Sequence, residues 1–192
     1  MSRAIRTFVA VETSEAVRRR SGELAELLRA AGAEVKWVEP HNLHFTLAFL
    51  GDVAESHVPD VCRAVEQSAA PVAPFALAVR GAGAFPNSAR PRTIWLGVGQ
   101  GLPEMIALHD RIERAIAPMG FRPEGRAFEP HLTIGRVKRP TAALDRLASL
   151  LDTHADFDAG QTRVDEVVVF ASQLRPSGPV YQPLARARLN GL

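Results

Sequence analysis

Two tetrapeptides in this 192-residue chain carry the residue types that proton-transfer chemistry needs: His44-Phe45-Thr46-Leu47 and His131-Leu132-Thr133-Ile134. Both have the form His-x-Thr-x, with x apolar. Side chains alternate faces along a strand, so each motif points an imidazole and a hydroxyl one way and two apolar groups the other. Two such strands side by side would bring two imidazoles and two hydroxyls around one small cleft. That set suits phosphoester chemistry. A neutral imidazole takes a proton from water or a hydroxyl, and an imidazolium gives one to a leaving oxygen. With an ordinary pKa of about 6.5, both forms exist near neutrality. Threonine hydroxyls donate to non-bridging phosphate oxygens, where charge builds in the transition state. The chemistry needs no metal, and we expect neither metal nor cofactor. One His-x-Thr is common by chance; two, both strand-borne and framed alike, point to a functional pair.

The remaining pattern describes the frame that must position these residues. Strands are expected over 6–12, 35–38, 43–49, 75–80, 93–98, 131–137, 155–158, 164–172 and 180–187. Helices are expected from Ser14, an N-cap, to Gly32; over 58–69, with Pro59 in the first turn; from Leu102 to near Pro118; and around Leu144, Leu147, Leu150 and Leu151. The Gly/Pro/Asn-rich stretch 81–91 reads as a loop. Many strands and four helices without strict alternation give an α+β class. A helix precedes each motif strand, an echo that suggests a duplicated half.

Composition narrows the function classes. Hydrophobic residues make up 46% and charged residues 23%, ordinary globular values. The formal net charge is +2, so non-specific coating of nucleic acid is a poor expectation. Only Lys36 and Lys138 among the 23 basic residues are lysines; arginine suits bidentate phosphate recognition, though genome composition produces the same bias. The single cysteine, Cys62, has no partner for an internal disulfide, no apolar run approaches a membrane span, and no signal peptide is evident. We therefore expect a cytoplasmic protein, monomeric and without a membrane partner.

The chain resembles the 2H phosphoesterases, and among them the RNA 2′,3′-cyclic phosphodiesterases, also called 2′-5′ RNA ligases. The resemblance runs through RTFVAV from Arg6, KWVEPHNLHFTLAFLG from Lys36, GAFP from Gly83, TIWLGV from Thr93, FEPHLTIGR from Phe128 and VDEVVVFASQL from Val164. It implies a single bilobal domain over 1–192, with two pseudo-twofold-related lobes of antiparallel sheet, outer helices and a central cleft. It implies hydrolysis of an RNA terminal 2′,3′-cyclic phosphate to a 2′-phosphate, on RNA 3′ ends such as tRNA halves or on nucleoside 2′,3′-cyclic phosphates. In this light His44 and His131 are the acid–base pair, with His44 donating to the leaving 3′ oxygen and His131 activating water, or the reverse. Thr46 and Thr133 grip the phosphate. Arg136 resembles the family's arginine, but strict alternation puts it on the face opposite His131, so a phosphate contact needs twist or a bulge near Gly135. Phe8, Trp37, Phe85 and Tyr181 are candidates to stack a base, against a packing role for each. Arg90 and Arg92 are candidates for the RNA backbone.

Alternatives remain at this point: a reversible 2′-5′ RNA ligase, a phosphodiesterase for small cyclic nucleotides or 2′-5′ oligonucleotides, and a non-catalytic RNA-end binding module. Gly97, Gly99 and Gly101 are similar to a dinucleotide-binding turn, but Leu102 stands where the third glycine belongs. His109 and Glu113, one helical turn apart, read as a surface pair without a third metal ligand. His41 reads as a turn residue, His57 as a helix-entry residue and His154 as a helix-exit residue.

Overall fold

The computed structural model describes residues 3–121, 125, 127–176 and 178–191. Among the described residues, nine strands and four α-helices alternate irregularly. The strands are β1 (Ala4–Glu12), β2 (Val35–Trp37), β3 (His44–Ala54), β4 (Phe75–Phe85), β5 (Thr93–Val98), β6 (Leu132–Val137), β7 (Asp158–Val164), β8 (Glu166–Arg175) and β9 (Gly178–Arg188). The helices are α1 (Glu15–Arg29), α2 (Val58–Ala69), α3 (Leu102–Ile116) and α4 (Leu144–Thr153).

Local sequence explains the helices. Ser14 caps α1 by accepting from the Val17 amide, and Glu15 complements the positive end of the helix. Val17, Leu24, Ala25 and Leu28 form its buried stripe. Met105, Leu108, Ile112 and Ile116 do the same for α3. These stripes and the inward positions of the strands share one core.

All strand pairings are antiparallel. The order β7-β4-β5-β6-β3-β1-β8-β9 has a symmetric reading: β6 and β3 lie at the centre with three strands beyond each, and β2 pairs with β6. The motif strands are thus neighbours at the midline of one curled sheet. They touch through a narrow seam, the pair Phe45 and Leu132, both fully buried. On either side of that pair β3 and β6 are free to diverge, which opens a cleft on the sheet face away from the helices.

Several strand expectations change, β3 running on to Ala54 among them. The segment 155–157 is a turn after α4, and β7 begins at Asp158 and includes Gly160. The expected strand 164–172 is divided at Asp165: Val164 ends β7 and Glu166 opens β8, and the Asp165 carbonyl accepts from the Leu189 amide in the register of the β8–β9 pair. The stretch from Gly81 is strand through Phe85, not loop. Gly83 is there for packing, since a Cβ on it would run into the Trp95 ring of β5, whereas Gly81 takes a positive φ.

Candidate active site

The register explains how the motifs converge. In an antiparallel pair, one step forward on one strand is one step back on the other. Counted out from the Phe45–Leu132 pair, His44 falls in register with Thr133 and Thr46 with His131, and the diverging strands leave the cleft between them. All four line one cleft of about 830 Å³. Arg6, Lys36 and Arg136 bring positive charge to its wall, with Glu39 as an acidic neighbour. The β8–β9 hairpin closes one side through Ser172, Leu174 and Tyr181, held to the turn before β3 by Asn42 Nδ2 donating to the Pro179 carbonyl at 3.3 Å.

The two histidines are oriented by the same device. His44 Nδ1 lies 2.7 Å from the Asn42 carbonyl, and His131 Nδ1 lies 2.7 Å from the Glu129 carbonyl. A carbonyl only accepts, so Nδ1 carries the proton in both rings. Nε2 is then the nitrogen available for proton transfer. In each case the acceptor lies two residues before the imidazole. His131 itself precedes β6, so its ring is set by this bond and not by the sheet ladder.

Aromatic groups support both rings, differently. Phe8 lies 4.9 Å from the His44 ring centroid and Tyr181 meets it edge-on at 5.2 Å, with Phe170 stacked behind Phe8. Phe85 meets the His131 ring edge-on at 4.9 Å. Phe8 is buried beneath His44, and Tyr181 is half-buried on the cleft wall. Trp37 lines the cleft while its ring packs over Gly135 and lies beneath the Arg29 guanidinium. Burial pushes the His44 imidazole below its ordinary pKa. The Asn42 carbonyl and the Glu12 carboxylate pull it back up, and the Arg136 guanidinium pushes it further down. Burial raises the Tyr181 phenol, against the opposing influence of Arg136 and Arg6.

Arg136 reaches the cleft through a bulge. Trp95 pairs with Thr133, and the next residue, Ile94, pairs with Gly135, so Ile134 is an extra residue in β6. Thr93 then pairs with Arg136. Thr93 and Trp95 share a face of β5, so Arg136 and Thr133 share a face of β6. The Arg136 guanidinium donates to Thr93 Oγ1 at 3.3 Å. In β3, Leu47 is likewise skipped between the Val9–Ala48 and Ala10–Thr46 pairs, which puts Phe49 on the cleft face with Thr46. The position that is arginine in one half is phenylalanine in the other, with the Arg6 guanidinium 4.9 Å over its ring. The two halves of the cleft are alike in backbone and unlike in charge.

Other expectations resolve more simply. His41 stands exposed in the 3₁₀ turn Pro40–Asn42 at the cleft edge. His57 precedes α2, and His154 closes α4. Arg90 and Arg92 are not among the cleft-lining residues. His109 departs from the expected surface pair: its side chain is 15% exposed and its ring stacks on Phe128 at 3.8 Å. Among the described residues, no group of three or more His, Cys, Asp or Glu is arranged to hold a metal ion, and no helix is long and apolar enough to cross a membrane.

The same fold is found in solved structures. TT0787 of Thermus thermophilus superposes with a TM-score of 0.82 at 28% identity, covering 97% of this chain and 98% of that one. Escherichia coli LigT, crystallised with 3′-AMP, gives 0.75 at 25% identity, covering 97% and 98%. The RNA 2′,3′-cyclic phosphodiesterase of Methanothermobacter thermautotrophicus is 41% identical over 186 residues, 96% of this chain and 99% of its own. The protein of the same name from Thermotoga maritima is 31% identical over 187 residues, 97% of each. The 2′-5′ RNA ligase superfamily model matches residues 12–174, and the chain belongs to that superfamily.

Proposed function

We propose that this protein is an RNA 2′,3′-cyclic phosphodiesterase that opens the cyclic phosphate to a 2′-phosphate by two-histidine acid–base catalysis, without a cofactor. The observation that carries this reading is the matched pair of imidazoles, each tied through Nδ1 to a backbone carbonyl, beside two threonine hydroxyls in one basic cleft. The names of the relatives support the substrate.

In the proposed reaction His131 Nε2 takes a proton from water as the water oxygen attacks phosphorus. The bond from phosphorus to the 3′ oxygen breaks, and His44 Nε2–H gives its proton to that oxygen. One water is consumed, and the products are a 2′-phosphomonoester and a 3′-hydroxyl. A proton returns from His131 to His44 through solvent to complete the cycle. Burial lowers the His44 pKa, which makes its imidazolium a stronger acid than a solvated one and also less populated near neutrality. Thr46, Thr133 and Arg136 hold the non-bridging oxygens as charge develops there. With a 5′-hydroxyl in place of water, the same transfers give the ligation for which the superfamily is named. The substrates in this reading are RNA 3′ ends with a cyclic phosphate, tRNA halves and nucleoside 2′,3′-cyclic phosphates included, met by a monomer in the cytoplasm.

The test is turnover by His44→Ala and His131→Ala on an oligoribonucleotide ending in a cyclic phosphate. Each loses about 10²-fold or more in kcat, the usual worth of a general acid or base, and keeps its circular dichroism. Thr46→Ala and Thr133→Ala lose less, because a hydrogen-bond donor and not a proton carrier is removed. Near-normal turnover by either folded histidine variant removes the acid–base assignment.

A further inference from the structure

The two motif strands are bulged at equivalent places, and different groups close the two bulges. Ile134, the extra residue of β6, has its carbonyl bonded by the Val38 backbone amide at 2.9 Å. Leu47, the extra residue of β3, is buried, and its carbonyl is 2.7 Å from Nδ1 of His109, a side chain on α3. The carbonyl can only accept, so Nδ1–H donates. The same imidazole lies flat on Phe128, with ring centroids 3.8 Å apart and planes within 8°. Phe128 stands one residue before Glu129, whose carbonyl orients His131. A single side chain therefore touches the bulge of one motif and the approach to the other.

We propose that His109 is a positioning residue for the site: its Nδ1–H fixes the Leu47 bulge that aims Thr46 and Phe49 at the cleft, and its stacked ring fixes the Phe128 approach to His131. The physical reason is the cost of the alternatives. Without the donor, a buried carbonyl is left unpaired. If β3 instead closes its bulge, every residue beyond it changes face, and Phe49 leaves the cleft side. Only the kinetic arm of the test rests on the proposed two-histidine reaction.

Three variants separate the two contacts. His109→Phe keeps a ring for the stack and removes the donor. His109→Asn keeps a donor near the Nδ1 position and removes the stack. Phe128→Leu removes the stack and leaves the donor. Steady-state kinetics on a cyclic-phosphate oligoribonucleotide are combined with ¹⁵N NMR of the free protein, following the amides of residues 45–49 and the His131 imidazole. The expected result for His109→Phe is a fall in kcat of about tenfold or more, as sub-ångström misplacement produces, with KM within about twofold and shifted amides at 45–49. His109→Asn recovers the amide positions, while Phe128→Leu lowers kcat and moves the His131 resonances. Wild-type kcat and unmoved amides in His109→Phe overturn the proposal, as does wild-type behaviour of Phe128→Leu. If His109→Phe does not fold, the other two variants carry the test: amides at 45–49 displaced in His109→Asn, or left in place with wild-type kcat in Phe128→Leu, overturn it. If the wild type turns over no cyclic phosphate, the reaction reading fails and the NMR arm still decides the role of His109.

Discussion

At the scale of single residues, the chemistry depends on how each imidazole is held. His44 and His131 share the Nδ1 anchor, yet their surroundings differ in charge. Arg136 presses the His44 pKa down and Glu12 draws it up, while Glu12 is itself engaged by Arg186 Nη1 at 2.7 Å. Arg136→Gln removes a cation that disfavours imidazolium, so His44 titrates at higher pH. Glu12→Gln removes an anion that favours it, so His44 titrates at lower pH. An NMR titration of the His44 Cε1–H in the free protein reads both, and movement in the opposite sense contradicts the electrostatic account. The histidines and threonines were legible in the sequence because their spacing matches the period of a strand. The role of His109 was not, although it lies four residues after Met105 and three before Ile112 on the buried stripe of α3. The helical period contains that signal, and the one-turn spacing to Glu113 masks it.

At the scale of elements, the bulges decide which side chains share a face. Strict alternation put Arg136 behind the sheet, and the extra residue Ile134 brings it to the front. The burial pattern shows the break as two consecutive buried positions, Leu47–Ala48 in β3 and Ile134–Gly135 in β6. Apolar-small doublets after each threonine were the sequence signal, but a lone doublet is equally a strand with both faces covered. The Gly81 stretch misled for a related reason, since glycine that makes room for a neighbouring ring reads like glycine that makes a turn. Gly135 belongs to the first kind. A Cβ there would lie 2.8 Å from Val35 Cγ1 and 2.9 Å from Trp37 Cε3. Gly135→Ala therefore pushes β2 off β6 at a cost of about 1–3 kcal/mol, the usual range for overpacking. Urea unfolding measures this, and an unchanged midpoint would mean that β2 yields freely.

At the scale of the molecule, the cleft exists because two similar halves of one sheet meet through a single buried pair. The core that contains Phe45 also contains Leu132 and runs beneath both halves. We propose that the chain works as one bilobal unit on this ground. Far-UV circular dichroism and the fluorescence of Trp37 and Trp95 should then report one coincident unfolding transition. Phe45→Ala should lower it by about 3–5 kcal/mol without splitting it, and two separated transitions would count against a shared core. The duplicated order of elements was visible in the sequence, but the seam was not, because which strands become neighbours is a property of topology and not of any local pattern. The function turns on what happens to a cyclic phosphate placed in that cleft. The most direct measurement is to incubate the wild-type protein, in EDTA, with an oligoribonucleotide ending in a 2′,3′-cyclic phosphate and to locate the phosphate in the product. The proposed two-histidine reaction, with the 3′ oxygen leaving, predicts a 2′-phosphate and a free 3′-hydroxyl. A 3′-phosphate, or an unreacted cyclic end in the presence of folded protein, would contradict it.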